Sequence, residues 1–130
     1  MQSIMRRSAA VVATAVATLA GLTTAGIAPA QPVAHAARSC GLGGEWAKLG
    51  PTYVEPPVIV TGTNCATGIK VIKAYNRCRL NAGGVKGRCH AKVLGYRCTE
   101  QRSTSPVQFV ASVRCTARRK VVKFSYSENT

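Results

Sequence analysis

The stretch VQFVASVRCTARRKVVKFSY, residues 107–126, decides the fold because two runs of alternating apolar and polar residues flank a short basic segment. Alternation with a period of two is typical of half-buried strands, so the stretch predicts an antiparallel hairpin. The residues expected on its apolar face are Val107, Phe109, Ala111, Val113, Cys115, Val122, Phe124 and Tyr126.

The length of the hairpin loop sets the expected register. A four-residue loop at 116–119 pairs Ala111 with Phe124 and Phe109 with Tyr126, and the small alanine leaves room for the phenylalanine ring. We therefore expect the apolar residues of the two strands to pack on one face of a sheet.

A helix is predicted upstream of the hairpin, from Cys65 to about Leu80, with Asn64 as its cap. Its apolar residues recur at spacings of three and four: Cys65, Ile69, Ile72, Tyr75 and Cys78. The run Asn81-Ala82-Gly83-Gly84 supplies the expected stop. The β-branched residues within the segment leave a strand as the alternative.

Two further strands complete the predicted sheet. One is the β-branched run at 58–60, and the other covers 88–98 with a bulge at Leu94-Gly95, where the apolar parity changes. The polar stretch 99–106 is expected to be a loop. Together these elements predict an α+β fold, with one helix packed on a small antiparallel sheet.

The first 36 residues are typical of a secretory signal peptide. Arg6 and Arg7 precede a long uncharged stretch rich in Ala, Val and Thr, and small residues at Ala30 and Ala36 offer two cleavage sites. Cleavage after Ala36 is favoured, and a retained membrane anchor is the alternative. We expect a secreted protein with no stable membrane insertion after cleavage.

The remaining chain divides into a loop-rich arm at 37–57 and an α+β domain at 58–130. Seven glycines and prolines between Gly41 and Pro57 argue against a long helix or a central strand in the arm. A chain this short buries a limited core and often needs covalent support.

Six cysteines, all after residue 36, predict three disulfides in an oxidising compartment. They are Cys40, Cys65, Cys78, Cys89, Cys98 and Cys115. Fifteen pairings are possible. Position favours Cys78 with Cys89, and then Cys65 with Cys115 and Cys40 with Cys98. No zinc-ligand spacing is present, so neither a metal nor another cofactor is predicted.

Charge is the main functional signal. Residues 37–130 contain 16 Lys and Arg, 4 Glu and no Asp, a net charge of +12. Such a surface attracts acidic polymers. The candidate polyanion-binding residues are Arg114, Arg118, Arg119, Lys120 and Lys123. A surface charged only for solubility is the alternative.

Three segments together resemble small exported cysteine-containing α+β proteins of actinobacteria. They are Thr63-Asn64-Cys65-Ala66-Thr67, Gly95-Tyr96-Arg97-Cys98 and Val113-Arg114-Cys115, within residues 58–126. This group has no assigned activity, so the resemblance implies the fold and export and supplies no catalytic residue.

Two other functional classes stay open at this point. A small secreted ribonuclease could use His90 and Glu100, although we expect His90 to face outward and Glu100 to lie in a loop. An extracellular protein could be the partner instead, for example a hydrolase inhibited through the segment 99–106. No motif for sequence-specific nucleic-acid binding is present. We expect a binding module rather than an enzyme.

Export makes the first testable prediction. Mass spectrometry of the exported protein should find an amino terminus at Ala37, or at Gln31 if the first site is used. Oxidised protein should weigh six hydrogens less than reduced protein, because six thiols form three disulfides. Recovery of the intact chain from the membrane would contradict cleavage.

Overall fold

The computed structural model describes residues 35–46, 48–49 and 52–129, and the structural statements below refer to these residues. Residues 1–34, with most of the predicted signal peptide, lie outside them. The elements are β1 (Arg38–Cys40), α1 (Gly43–Trp46), β2 (Lys48–Leu49), β3 (Thr52–Thr61), α2 (Cys65–Gly83), a 3-10 helix (Gly84–Lys86), β4 (Arg97–Thr104), β5 (Gln108–Ala117) and β6 (Lys120–Asn129).

One antiparallel sheet and one long helix form the domain. The strand order is β1-β3-β6-β5-β4, and β2 pairs with β3 beside this path. Helix α2 covers the sheet face that carries the apolar residues of β3, β5 and β6, here called the inner face. The predicted α+β fold with three disulfides is confirmed.

Helix α2 begins where the sequence predicted and extends to Gly83. The Asn64 side chain accepts a hydrogen bond from the Thr67 amide at 2.8 Å and so satisfies one free donor of the first turn. The buried face is shifted from the predicted one. Ile72 and Tyr75 are buried as predicted, together with Val71 and the polar Asn76 and Arg79. Cys65, Ile69 and Cys78 are only half-buried.

The β5–β6 hairpin has the predicted faces but a different register. Its turn contains two residues, Arg118 and Arg119, so Ala111 pairs with Tyr126 and not with Phe124 as predicted. Arg118 takes a positive φ of 53°, as the tight two-residue loops of hairpins require. The four-residue loop was wrong by two ladder positions, and an even shift keeps the side chains of the paired strands on their predicted faces. Val107 was also predicted on the apolar face, but it lies before β5 and is 70% exposed.

Strand β3 begins at Thr52 and therefore occupies part of the segment predicted to be a loop-rich arm. It is also a central strand, between β1 and β6. The proline pair Pro56-Pro57 falls where the register with β6 shifts between Glu55 and Ile59. Prolines are tolerated in a sheet at such interruptions because no ladder donor is lost there.

The strand that precedes the hairpin was predicted at the wrong position. Residues 88–96 form no strand apart from an isolated bridge between Val93 and Tyr96, and strand β4 occupies most of the predicted loop at 99–106. The change of parity at Leu94-Gly95 is a turn with two positive φ angles, 49° and 80°, and not a bulge. Strand β4 was not predicted because Glu100 and Arg102 point inward, so the strand lacks the alternating apolar pattern.

The disulfides are Cys40–Cys65, Cys78–Cys89 and Cys98–Cys115. The predicted Cys78–Cys89 pair is confirmed, whereas the other two predicted pairings are wrong. Strand β1 places Cys40 beside the start of α2, with 5.6 Å between the Cα atoms of Cys40 and Cys65. Cys98 and Cys115 are direct partners in the β4–β5 ladder, a relation hidden because the predicted strand ended at Cys98 and residues 99–106 were expected to be a loop.

Packing between helix and hairpin leads to a second prediction. The Phe124 ring meets Tyr75 of α2 edge to face, with 5.8 Å between ring centroids. Phe124→Ala should lower the free energy of unfolding by about 3–5 kcal/mol, because it leaves a cavity in the core. Val107→Ala is the control, since Val107 is 70% exposed and its loss should cost no more than about 0.5 kcal/mol. Urea unfolding of the oxidised protein measures both, and equal stabilities would contradict the packing.

Candidate polyanion-binding surface

The β5–β6 turn brings three of the predicted cations together at one end of the sheet. Arg118 and Arg119 form the turn, Lys120 starts β6, and all three are exposed. The turn after β3 supports them: Gly62 has a φ of 65°, and a Cβ atom there would lie 2.5 Å from the Arg119 carbonyl oxygen. Only glycine permits this close backbone approach, so Gly62 fixes the position of the turn.

An open cleft of about 850 Å³ lies at this end of the sheet. Arg118, Arg119 and Lys120 line it, and two more cations are added by Lys92, which precedes β4, and Arg97, the first residue of β4. His35, Gly62, Leu94, Gly95, Tyr96, Thr116 and Ala117 complete the lining. No carboxylate belongs to the described lining, so the cleft favours anions.

The other two predicted cations lie on the outer face of the sheet, which α2 does not cover. Arg114 of β5 and Lys123 of β6 are direct cross-strand partners. Both line a shallow depression of about 260 Å³ together with Thr99, Gln101, Ser112 and Val113. Like charges placed directly opposite each other repel, and an anion bound between them would relieve that repulsion.

The described salt bridges leave these cations without a carboxylate partner. The three bridges join Arg79 to Glu128, and Arg88 and Arg102 to Glu100. The carboxylates of Glu100 and Glu128 therefore neutralise charges inside the domain or next to it. We call the seven cations of the cleft and outer face the basic surface: Lys92, Arg97, Arg114, Arg118, Arg119, Lys120 and Lys123.

A buried polar network joins the helix to the sheet. Arg79, whose side chain is fully buried, donates to Glu128 of β6, to the Thr52 hydroxyl of β3 and, at 2.9 Å, to Asn76. It also donates to the Val85 carbonyl at 2.8 Å, and its guanidinium lies over the Tyr126 ring at 4.3 Å. These contacts satisfy the buried charges, so the network is structural.

Glu100 is the centre of a second network and lies in β4, not in the predicted loop. Its Oε2 atom accepts hydrogen bonds from Tyr75 and, at 2.8 Å, from Tyr126, while Oε1 faces Arg102 and Arg88. Burial alone would raise the pKa of Glu100, but hydrogen bonds from the tyrosines and Arg102 outweigh it and hold that pKa below its usual range.

The tyrosines of this network stay protonated. Burial, together with the hydrogen bond to Glu100, raises the pKa of Tyr126 to about 12 and raises the pKa of Tyr75 further. The Glu100 carboxylate thus remains ionised with both oxygens engaged by protein groups. His90, its proposed partner in ribonuclease chemistry, is exposed and is not among the described hydrogen-bond or salt-bridge partners of Glu100.

Sequence reasoning missed Lys92 and Arg97 as part of the basic surface. Arg97 precedes Cys98 in β4, and its outward position could have been inferred from that cysteine pointing inward. Lys92 joins the cleft through the Leu94-Gly95 turn, which the sequence had suggested to be a bulge. The helix cations Lys70 and Arg77 are exposed as predicted, but α2 covers the opposite face of the sheet.

Comparisons with known proteins give no match: neither a protein-family model, nor a curated protein, nor a solved structure is similar to this chain. Within the described residues, no helix is both long and apolar enough to cross a membrane. The same residues contain no group of three or more His, Cys, Asp or Glu that could hold a metal ion.

The depressed pKa of Glu100 generates a prediction on acid stability. A carboxylate with a lowered folded pKa stabilises the fold above its unfolded pKa of about 4.3, and this contribution disappears as the pH falls through the folded value. Glu100→Gln should therefore cost about 1–3 kcal/mol at pH 7, and the difference from wild type should shrink below about pH 4.

Urea unfolding at a series of pH values between neutral and strongly acidic measures this difference. Glu55→Gln is the matched control, because it removes the same charge from a half-buried position of β3 outside the tyrosine network. A Glu100→Gln effect that stays constant across the pH range would mean that the carboxylate is not held in its ionised form.

Proposed function

We propose that this chain is a small exported binding module without enzymatic activity that holds acidic polymers weakly through the basic surface. The observation that supports the proposal is the gathering of seven cations from three segments around one end and one face of the sheet, with no carboxylate among the described lining. The attraction of an acidic polymer then depends on the positive charge of the basic surface and not on the shape of a pocket.

The positions of the other charges strengthen the proposal. The residues after 36 contain four glutamates. Two of them, Glu100 and Glu128, form salt bridges with arginines. Their negative charge is therefore not available to screen the outer face. Three disulfides and the signal-like amino terminus support export to an oxidising compartment.

The other two functional classes receive less support. Acid–base catalysis would need a carboxylate free to exchange a proton, and both oxygens of Glu100 are engaged. An inhibitor would need a projecting loop, and most of the segment 99–106 is paired in β4, which leaves a connection of only Ser105, Pro106 and Val107. We therefore propose one function.

A salt titration tests the proposal. With four or five phosphates neutralised, the logarithm of the binding constant for an acidic polymer should fall against log salt with a slope of about −3 to −5. Replacing Arg118, Arg119 and Lys120 by Ser should flatten the slope by about 2–3 and leave the fold intact, because these side chains are exposed.

The control removes the same charge from elsewhere. Lys70, Arg77 and Lys86 are exposed on α2 and the 3-10 helix, so changing these three to Ser reduces the net charge equally but spares the basic surface. We expect a near-wild-type slope for this control. Equal losses in both triple variants would show that only net charge matters, and no binding at low salt would contradict the proposal.

A further inference from the structure

The cations of the basic surface follow the strand direction. Arg97, Thr116 and Val121 form one outward row across β4, β5 and β6, and Thr99, Arg114 and Lys123 form the next. Successive rows on one face are two residues apart, which is about 7 Å. The positive charges therefore continue from the β5–β6 turn along the outer face. We call this row of cations the strip.

The side chains of the strip are of the types that bind phosphate groups. Hydroxyl groups of Ser112 and Thr116 occupy outward positions next to the cations, and guanidinium, ammonium and hydroxyl groups are the usual donors to phosphate oxygens. The Thr99 hydroxyl on the same face already donates to the Arg114 carbonyl at 3.4 Å. Cations lie both within the concave cleft and on the open face, so a ligand must bend to reach all of them.

The Phe and Tyr rings of the described residues are not available to the strip. The hairpin aromatics Phe109, Phe124 and Tyr126 are buried on the inner face. Tyr96 lines the cleft but is only 4% exposed. Tyr53 is 46% exposed, yet it pairs with Ser127 two rows beyond the row of Lys123 and away from the turn. Among the described residues, the exposed imidazole of His35 in the cleft is therefore the aromatic ring placed to reach a base, and the outer-face rows of the strip contain no aromatic ring.

From these observations we propose that the strip binds one flexible chain of phosphodiesters through its backbone alone. The ligand class is a flexible polymer in which sugars or polyols link the phosphates, whether or not the polymer carries bases. This inference rests on the proposed function and narrows it: the partner is recognised by linked phosphates and flexibility, while bases contribute nothing. Lys92 and Arg97 belong to this site beside the five cations predicted from the sequence.

The test compares three probes of equal phosphate number with the oxidised protein at fixed salt. These are an oligomer of abasic deoxyribose phosphates, the corresponding oligothymidylate, and a DNA duplex. We expect the two single chains to bind equally within about twofold and the duplex to bind more weakly. One stacked base would tighten the thymidylate by at least about fivefold.

Each other outcome has a defined meaning. Thymidylate binding that is fivefold or more tighter overturns backbone-only recognition, and a duplex that binds as tightly as the single chains overturns the need for flexibility. Both results would leave the proposed polyanion function standing. No binding of any probe at low salt would remove that function and this inference together.

A single substitution tests whether the ligand binds along the strip. Arg97→Ser should weaken the abasic probe and flatten its salt slope by about 0.7, the amount expected for one phosphate contact on a single strand. Arg77→Ser removes the same charge from the exposed side of α2 and should leave the slope unchanged. An Arg97→Ser variant that is folded and binds like wild type contradicts the proposed path of the ligand.

Discussion

The buried ion pair between Arg79 and Glu128 is the constraint on which the rest of the structure depends. It joins α2 to β6, and Thr52 extends it to β3, so the helix and the two central strands share one polar contact. A buried pair of this kind is strongly destabilising when broken, because removal of one partner leaves an unpaired charge in the core. The packing of the helix on both strands therefore depends on this contact.

The buried polar networks and the positive outer surface both result from where the acidic and basic side chains lie. Glu100 and Glu128 lie on the inner face and bind arginines there, while the described outer face carries Glu55 as its acidic residue. A sequence with few acids thereby has a strongly positive outer face and turn. The same placement explains why the candidate site is a surface and why the buried carboxylates take no part in it.

Much of the fold could be predicted from the sequence because apolar periodicity reports burial. The helix, its Asn64 cap and the faces of the hairpin followed from that pattern. Strand β4 did not, since Glu100 and Arg102 occupy its inward positions and are stabilised by partners distant in the chain. The Cys98–Cys115 disulfide and Arg97 were missed with that strand. The Cys40–Cys65 disulfide was missed because β1 lies in the segment predicted to be a loop-rich arm. Five cations of the candidate site were predicted because they lie on or beside the hairpin.

The polar character of β4 also affects how molecules of this protein meet one another. Strand β4 is an edge of the sheet, and charged residues pointing inward on an edge discourage a second chain from adding a strand there. The opposite edge, β1, is only three residues long. Both edges of the described sheet are therefore poorly suited to intermolecular sheet growth.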